Sequence, residues 1–144
     1  MNLKKFDEDF IKFLINSGES NTLDFKQKVT SKEKIARTLA AMANTEGGIV
    51  LIGLSDQKRL TGIDPEEEKF MVESANEIYC FPRVSLSCDP YQIPHAEADK
   101  KNREEKFLLV VQIKKSIGPK IYTSDKLGNR KLYIRVDDQT RLIP

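Results

Sequence analysis

Residues 40–56 read Ala-Ala-Met-Ala-Asn-Thr-Glu-Gly-Gly-Ile-Val-Leu-Ile-Gly-Leu-Ser-Asp, and the rest of the chain is organised around them. The first part continues an Ala-rich helix, residues 44–48 carry helix-stop and tight-turn residues, and residues 49–54 are a short apolar run bounded by turn residues. The order is helix, turn, buried strand. Asn and Gly tolerate the left-handed conformation that closes a helix, and paired glycines let two backbones approach where any Cβ would clash. The β-branched Ile49, Val50 and Ile52 favour a strand over a helix. A strand so apolar is expected to be covered on both faces. Asn44, Gly47, Gly48 and Gly53 are the expected structural residues of this motif, and Asp56 places a carboxylate at its end.

Upstream, residues 3–17 predict a first helix with Phe6, Phe10, Phe13 and Leu14 on its apolar stripe, stopped by Gly18. Residues 22–28 alternate as a half-buried strand, with Leu23 and Phe25 inward and Asp24 and Lys26 sharing the exposed face. Thr30-x-x-Glu33 reads as a capping box for a second helix whose stripe is Ile35, Ala36, Leu39, Ala40 and Ala43. Downstream, residues 60–63 are a possible short hairpin partner. Asp64-Pro65 starts a third, acidic helix with Phe70, Met71, Ser74 and Ile78 on its buried side. Residues 84–93 alternate until Asp89-Pro90 interrupts them, residues 97–105 read as a charged loop, and residues 107–113 and 131–136 read as strands. These elements predict a single α+β domain over residues 1–144 with one mixed sheet and helices packed on it. Its parts are a helical lead-in (1–18), a motif-bearing core (19–64) and C-terminal strands (84–144).

With 144 residues, 39% of them hydrophobic, the chain can bury a core without disulfides or metal. It has no stretch long enough to span a membrane and no apolar signal region, so no membrane partner and a cytoplasmic location are expected. Net charge is only +2, but its distribution is uneven. Residues 26–37 and 114–141 are rich in Lys and Arg, whereas residues 64–77 hold six carboxylates. Folded onto one face, the two basic segments would attract a phosphate backbone while the acidic helix points away. The plainer reading is a set of solvated, charge-rich faces. Lys26, Lys28, Lys34, Arg37, Lys120, Arg130, Lys131 and Arg135 are the candidate phosphate ligands, with Tyr133 a stacking or sugar contact or an unliganded surface aromatic. No helix-turn-helix, zinc finger or base-reading helix is recognisable, so binding is expected to be mainly backbone-directed.

Glu19-Ser20-x-x-Leu23-Asp24-Phe25-Lys26, followed by Ala43-Asn44-Thr45-Glu46-Gly47-Gly48 and Ile52-Gly53-Leu54-x-Asp56, resembles the Alba-like (AlbA_2) domain of the Schlafen family. That domain is widespread in bacterial proteins regarded as DNA-binding transcriptional regulators. The resemblance resumes at Gly118-Pro119-Lys120-x-Tyr122 and Tyr133-Ile134-Arg135-Val136 and so spans residue 19 to the C-terminus. It implies a nucleic-acid-binding domain, with DNA or RNA as partner. In nuclease members of the family, two glutamates five residues apart and an aspartate beyond the Gly-Gly strand form a metal-dependent ribonuclease site. The matching positions here are Glu19, Asp24 and Asp56, with Asp24 shorter by one methylene than the family's Glu. The alternative reading is therefore an endoribonuclease in which these carboxylates bind Mg²⁺ or Mn²⁺. In the plainer reading, Glu19 is a loop carboxylate, Asp24 pairs with a basic group and Asp56 caps a turn. No cofactor is otherwise expected.

Cys80, Cys88 and His95 offer soft zinc donors without the short Cys-x-x-Cys spacing of structural sites, and reduced buried thiols are the simpler reading. Nucleotide binding is a further alternative, although the Gly-Gly turn precedes a strand and lacks the Gly-Lys-Ser/Thr of a phosphate loop. Nuclease members carry two copies of the fold around a groove. A single copy implies a homodimer, paired through strand edges at residues 107–113 or 131–136, or else a monomer or a protein-interaction module.

Overall fold

The structure is a computed structural model that describes residues 6–94 and 105–144. Its elements run α1 (Glu8–Ser17), β1 (Leu23–Lys26), α2 (Lys32–Ala43), β2 (Gly48–Ile52), α3 (Pro65–Tyr79), β3 (Cys80–Phe81), β4 (Leu86–Ile93), β5 (Lys106–Ile113), β6 (Tyr122–Ser124), β7 (Arg130–Val136) and β8 (Gln139–Ile143). The α+β class is as expected, but the strands divide between two four-stranded sheets. The first has the order β1-β2-β5-β4 and the second β3-β6-β7-β8. In the first, β2 runs parallel to β1, with α2 as the crossover that parallel neighbours require, and antiparallel to β5.

The apolar run of β2 is covered on both faces because its side chains alternate between two cores. Val50 and Ile52 join Leu109, Val111 and the buried sides of α2 and α3, whereas Leu51 joins Leu108, Val110, Leu23 and the Ile11 and Leu14 side of α1. Helix α2 is buried at Ile35, Ala36 and every residue from Thr38 to Ala43, and it packs on α3 and on strands of both sheets. A helix surrounded on several sides needs apolar residues all round. Its alanines keep it thin enough to be approached that closely.

At the end of α2 the side chains of Asn44 and Thr45 act as backbone partners for the second sheet. Asn44 Nδ2 donates to the carbonyls of Ile121 (2.9 Å) and Tyr133 (3.0 Å), and its Oδ1 accepts from Ile121 N–H (2.9 Å). Thr45 Oγ1 donates to Ala41 O at 2.8 Å and accepts from Arg135 N–H at 3.0 Å. The glycines face the first sheet. A Cβ on Gly47 (φ +72°) would stand 2.6 Å from Ile113 O, and one on Gly48 (φ +144°) would collide with the Thr22 carbonyl.

Several elements differ from expectation for identifiable reasons. Residues 1–5 lie outside the described residues. Helix α1 is capped by Asp7, whose side chain accepts from Phe10 N–H, and buries Ile11 and Leu14 while Phe13 stays 64% exposed. The cap of α2 is Ser31, which accepts from Lys34 N–H, rather than Thr30. Helix α3 starts at Asp64-Pro65 as expected but buries Glu68, Val72, Ala75 and Asn76, leaving Phe70 and Ile78 exposed. Hydrogen bonds turn that helix. Glu68 Oε1 accepts from Val29 N–H (2.7 Å), and Asn76 pairs with both Val84 N–H and Val84 C=O (2.8 Å each).

Residues 60–63 contribute only isolated bridges, Leu54 to Leu60 and Ile63 to Phe107. Strand β4 runs through Asp89-Pro90 because it is a sheet edge, where a residue without N–H is tolerated. Strands β5 and β7, the expected dimer edges, are both interior: β5 lies between β2 and β4, and β7 between β6 and β8. Neither can pair across a two-fold axis. The expected loop at residues 97–105 lies almost wholly outside the described residues. No described helix is long and apolar enough to cross a membrane.

Asn44→Ala would strip three backbone groups of the second sheet of their partner, at about 1–3 kcal/mol for each group left buried and unpaired. We expect a loss of about 3 kcal/mol, read as a lower urea midpoint at unchanged slope. Asn44→Asp should do no better, since it keeps the acceptor for Ile121 N–H and loses both donors.

Candidate nucleic-acid interface

The chain leaving β1 and entering α2 carries Lys26, Lys28 and, one turn into the helix, Lys34. Together with Val29, Thr30, Ser31 and Ile35 they line one pocket of about 90 Å³. The sharp reversal between β1 and α2 brings these lysines together, and Val29 anchors it by burying its side chain and giving its N–H to Glu68. Helix α2 begins at the same place; its first amides lack intrahelical partners, and the Ser31 cap accepts from that of Lys34. The pocket is therefore bordered by three lysines, of which Lys26 is also 3.2 Å from Asp24, and by two hydroxyl side chains, beside the positive end of a helix. The Thr30 and Ser31 contribution was missed from sequence, although a Ser cap between lysines is the signal for it. Lys32, on the same turn, instead lies over the Phe70 ring at 5.1 Å.

The other candidates divide. Arg37 pairs with Glu33 (3.0 Å) and lies 5.8 Å from the centre of the Tyr133 ring, so Tyr133 is half-buried beneath a guanidinium. Arg130 is exposed over the Phe81 ring at 4.5 Å, Lys131 lies 3.8 Å from Asp125, and Lys120 is exposed. Nor is the acidic helix remote, because Glu68 in its first turn touches Val29 at the pocket wall.

Arg135 has to be removed from the phosphate ligands. Its side chain is 3% exposed: one guanidinium nitrogen donates to Ser20 O (2.8 Å) and stands 3.6 Å from Asp24 Oδ1, and the other donates to Thr140 Oγ1 (3.3 Å). Asp24, expected on an exposed face, is correspondingly buried, with Oδ2 3.2 Å from Lys26 Nζ. This ion pair joins the edge of the first sheet to the second. Arg135 Nε is buried without a partner.

Glu19 and Asp24 do meet. Glu19 Oε2 accepts from Phe25 N–H at 3.1 Å, and partial burial, followed by its contact with Asp24, pushes the Glu19 carboxyl above its ordinary value. Asp56 lies exposed in the turn after β2. Among the described residues no three His, Cys, Asp or Glu side chains form a group that could hold a metal ion. With Asp24 engaged by Arg135 and Lys26 and no third carboxylate beside it, the donors present do not fit Mg²⁺ or Mn²⁺. Cys80 and Cys88 are free and buried, with burial pushing both thiols up to about 12, and Cys80 donates to Ala36 O. His95, the third zinc candidate, lies outside the described residues.

Residues 19–144 match the model of the Schlafen, AlbA_2 family, and the chain belongs to that family. No curated protein matches it. Among solved structures it resembles the DIP2311 protein of Corynebacterium diphtheriae, with a TM-score of 0.53 and 17% identity. The likeness covers 92% of this chain but 25% of that one, and at this identity it speaks to the fold alone.

Two outcomes test the buried cluster. Removing one partner of a buried ion pair costs about 3–5 kcal/mol, so Arg135→Met should lower unfolding stability by about 3 kcal/mol, with Asp24→Asn in the same chain recovering part of it. Equal stability of Arg135→Met and the parent would free Arg135 of this role. Glu19 bears on pH. A carboxyl raised in the folded state holds its proton more tightly there than in the unfolded chain, so its contribution is full below the ordinary value of 4.5 and lost as pH rises through the raised value. Glu19→Gln should therefore match the parent in stability below that window and exceed it above, as read by urea titrations at several pH values.

Proposed function

We propose that this AlbA_2 domain binds nucleic acid through its phosphate backbone, with the pocket at the start of α2 as the principal contact. The observation that carries this reading is the convergence of Lys26, Lys28 and Lys34 on one concave site where a helix begins. A phosphate there meets ammonium charges, hydroxyl donors and helix amides together, the combination that makes helix N-termini anion sites. Arg37, one turn beyond Lys34, is held by Glu33 and lies outside this pocket. None of these groups reads a base edge, so they position a strand without specifying its sequence.

The test is a titration of labelled oligonucleotides over a range of salt. Affinity should fall linearly in a log–log plot, with a slope of about −0.9 per phosphate contact on duplex DNA and about −0.7 on a single strand. Replacing Lys26, Lys28 and Lys34 together by Gln should weaken binding alike for all sequences and flatten the slope by about two to three contacts. Binding that ignores salt, or a triple variant that binds like the parent, would defeat the proposal.

A further inference from the structure

The second sheet has one face on α2 and one face that no described element covers. Strand register identifies the residues on the open face. Phe81 stands opposite Tyr122, Tyr122 opposite Leu132, and Leu132 opposite Ile143, so four side chains form one row across all four strands. Arg130 lies beside this row, over Phe81, and Ile134 opposite Arg141 forms the next row. None of the apolar members belongs to either core, whereas the alternate residues Cys80 and Ile121 do. Tyr122 is 40% and Ile143 38% exposed.

Two features choose between possible occupants. The ionic side chains at the strand positions of this face are Arg130 and Arg141, with no carboxylate among them. A second copy meeting this face through a two-fold axis would bring those arginines together, whereas a polyanion is attracted. The apolar content pairs two aromatics, the exposed Tyr122 and the partly buried Phe81 beneath Arg130, side by side on neighbouring strands, with the aliphatic Ile143 and Val136 exposed to a similar degree as Tyr122. A sheet face bearing adjacent aromatics with flanking guanidinium groups suits flat, apolar-faced groups strung on a negative backbone, which describes the bases of an unpaired strand. A duplex hides those base faces by stacking them on one another.

We infer that the open face of the second sheet binds unpaired nucleobases, making single-stranded nucleic acid the preferred ligand. This rests on the phosphate-binding reading given above and adds to it a second surface with different chemistry. Tyr133, under Arg37 and facing α2, is then not the stacking residue; Tyr122 is.

The test compares 12-nucleotide single strands with the matching duplex, using the whole chain and the variants Tyr122→Phe, Tyr122→Leu and the lysine triple. Stacking of one base on an aromatic ring corresponds to about a tenfold change in affinity or more. The parent and Tyr122→Phe should both prefer the single strand, and binding it should quench tyrosine fluorescence in the parent but not in Tyr122→Phe, which lacks the stacking tyrosine. Tyr122→Leu, which keeps an apolar side chain at a surface position, should lose about tenfold on the single strand and leave duplex affinity unchanged. The lysine triple should lose affinity for both. Equal affinity of Tyr122→Leu and the parent for the single strand overturns the inference while leaving the phosphate reading intact. Absence of binding to either ligand overturns both. A two-chain mass by light scattering that reverts to one chain in Tyr122→Leu assigns the face to self-association and overturns the inference.

Discussion

The hydrogen bonds from the Asn44 and Thr45 side chains are the constraint on which the rest of the fold depends. A helix ending in a glycine turn would satisfy its own backbone and return the chain to the first sheet. It would leave the second sheet held against α2 by apolar contact, which is not directional, and tied to the first sheet at the Arg135 side chain. Asn44 offers both an acceptor and donors and so substitutes for a neighbouring strand, holding Ile121 and Tyr133 in register against the end of α2. Thr45 does the same for Arg135 N–H. Gly47 and Gly48 then let the turn lie within contact distance of Ile113 in the first sheet and of Thr22 just before β1. One five-residue turn thereby touches both sheets. Asn76 repeats the device on a smaller scale, closing the end of α3 onto Val84.

Arg135 and Asp24 close the same joint from the other side. A buried pair of this kind is weak evidence for stability in itself, because desolvation offsets much of the attraction. It does make any other arrangement of the two sheets expensive. The carboxylate and the guanidinium each lose water on folding, and the partial replacements they find, with Arg135 Nε left unpaired, exist only when β1 and β7 sit as they do. The charges most conspicuous in the motif, Asp24 and Arg135, therefore serve the architecture, whereas Lys28 and Lys34 stand at the surface at the start of α2.

What was legible in the sequence follows from this division of labour. The helix, turn and buried strand at residues 40–56 were readable because apolar periodicity and glycine chemistry are local. The second sheet was not, because its two-residue and three-residue strands, β3 and β6, are too short to show a period, and β8, Gln-Thr-Arg-Leu-Ile, looks like a polar tail. Burial of Glu68, Asp24 and Arg135 could not be seen either, since each is inside only because a partner far along the chain satisfies it, and Asn76 is buried through a bend eight residues on, at Val84, that its own helix pattern does not show. For the same reason the basic candidates could be named but not sorted. Lys26, Lys28 and Lys34 share a short segment and meet, whereas Arg135 looks in sequence like any other exposed strand cation.

The proposed ligand contacts lie on two surfaces, the lysine pocket at the head of α2 and the open face of the second sheet, with the buried Asp24–Arg135 joint between the sheets apart from both. The most direct measurement is a nuclear magnetic resonance titration of the isotopically labelled chain with a single-stranded oligonucleotide. Saturating shifts at Lys28, Ser31 and Lys34 and at Tyr122, Leu132 and Ile143, with the Asn44, Thr45 and Arg135 amides unmoved, are the predicted result. Shifts confined to the Glu19 and Asp56 neighbourhood, or none at all, would contradict it.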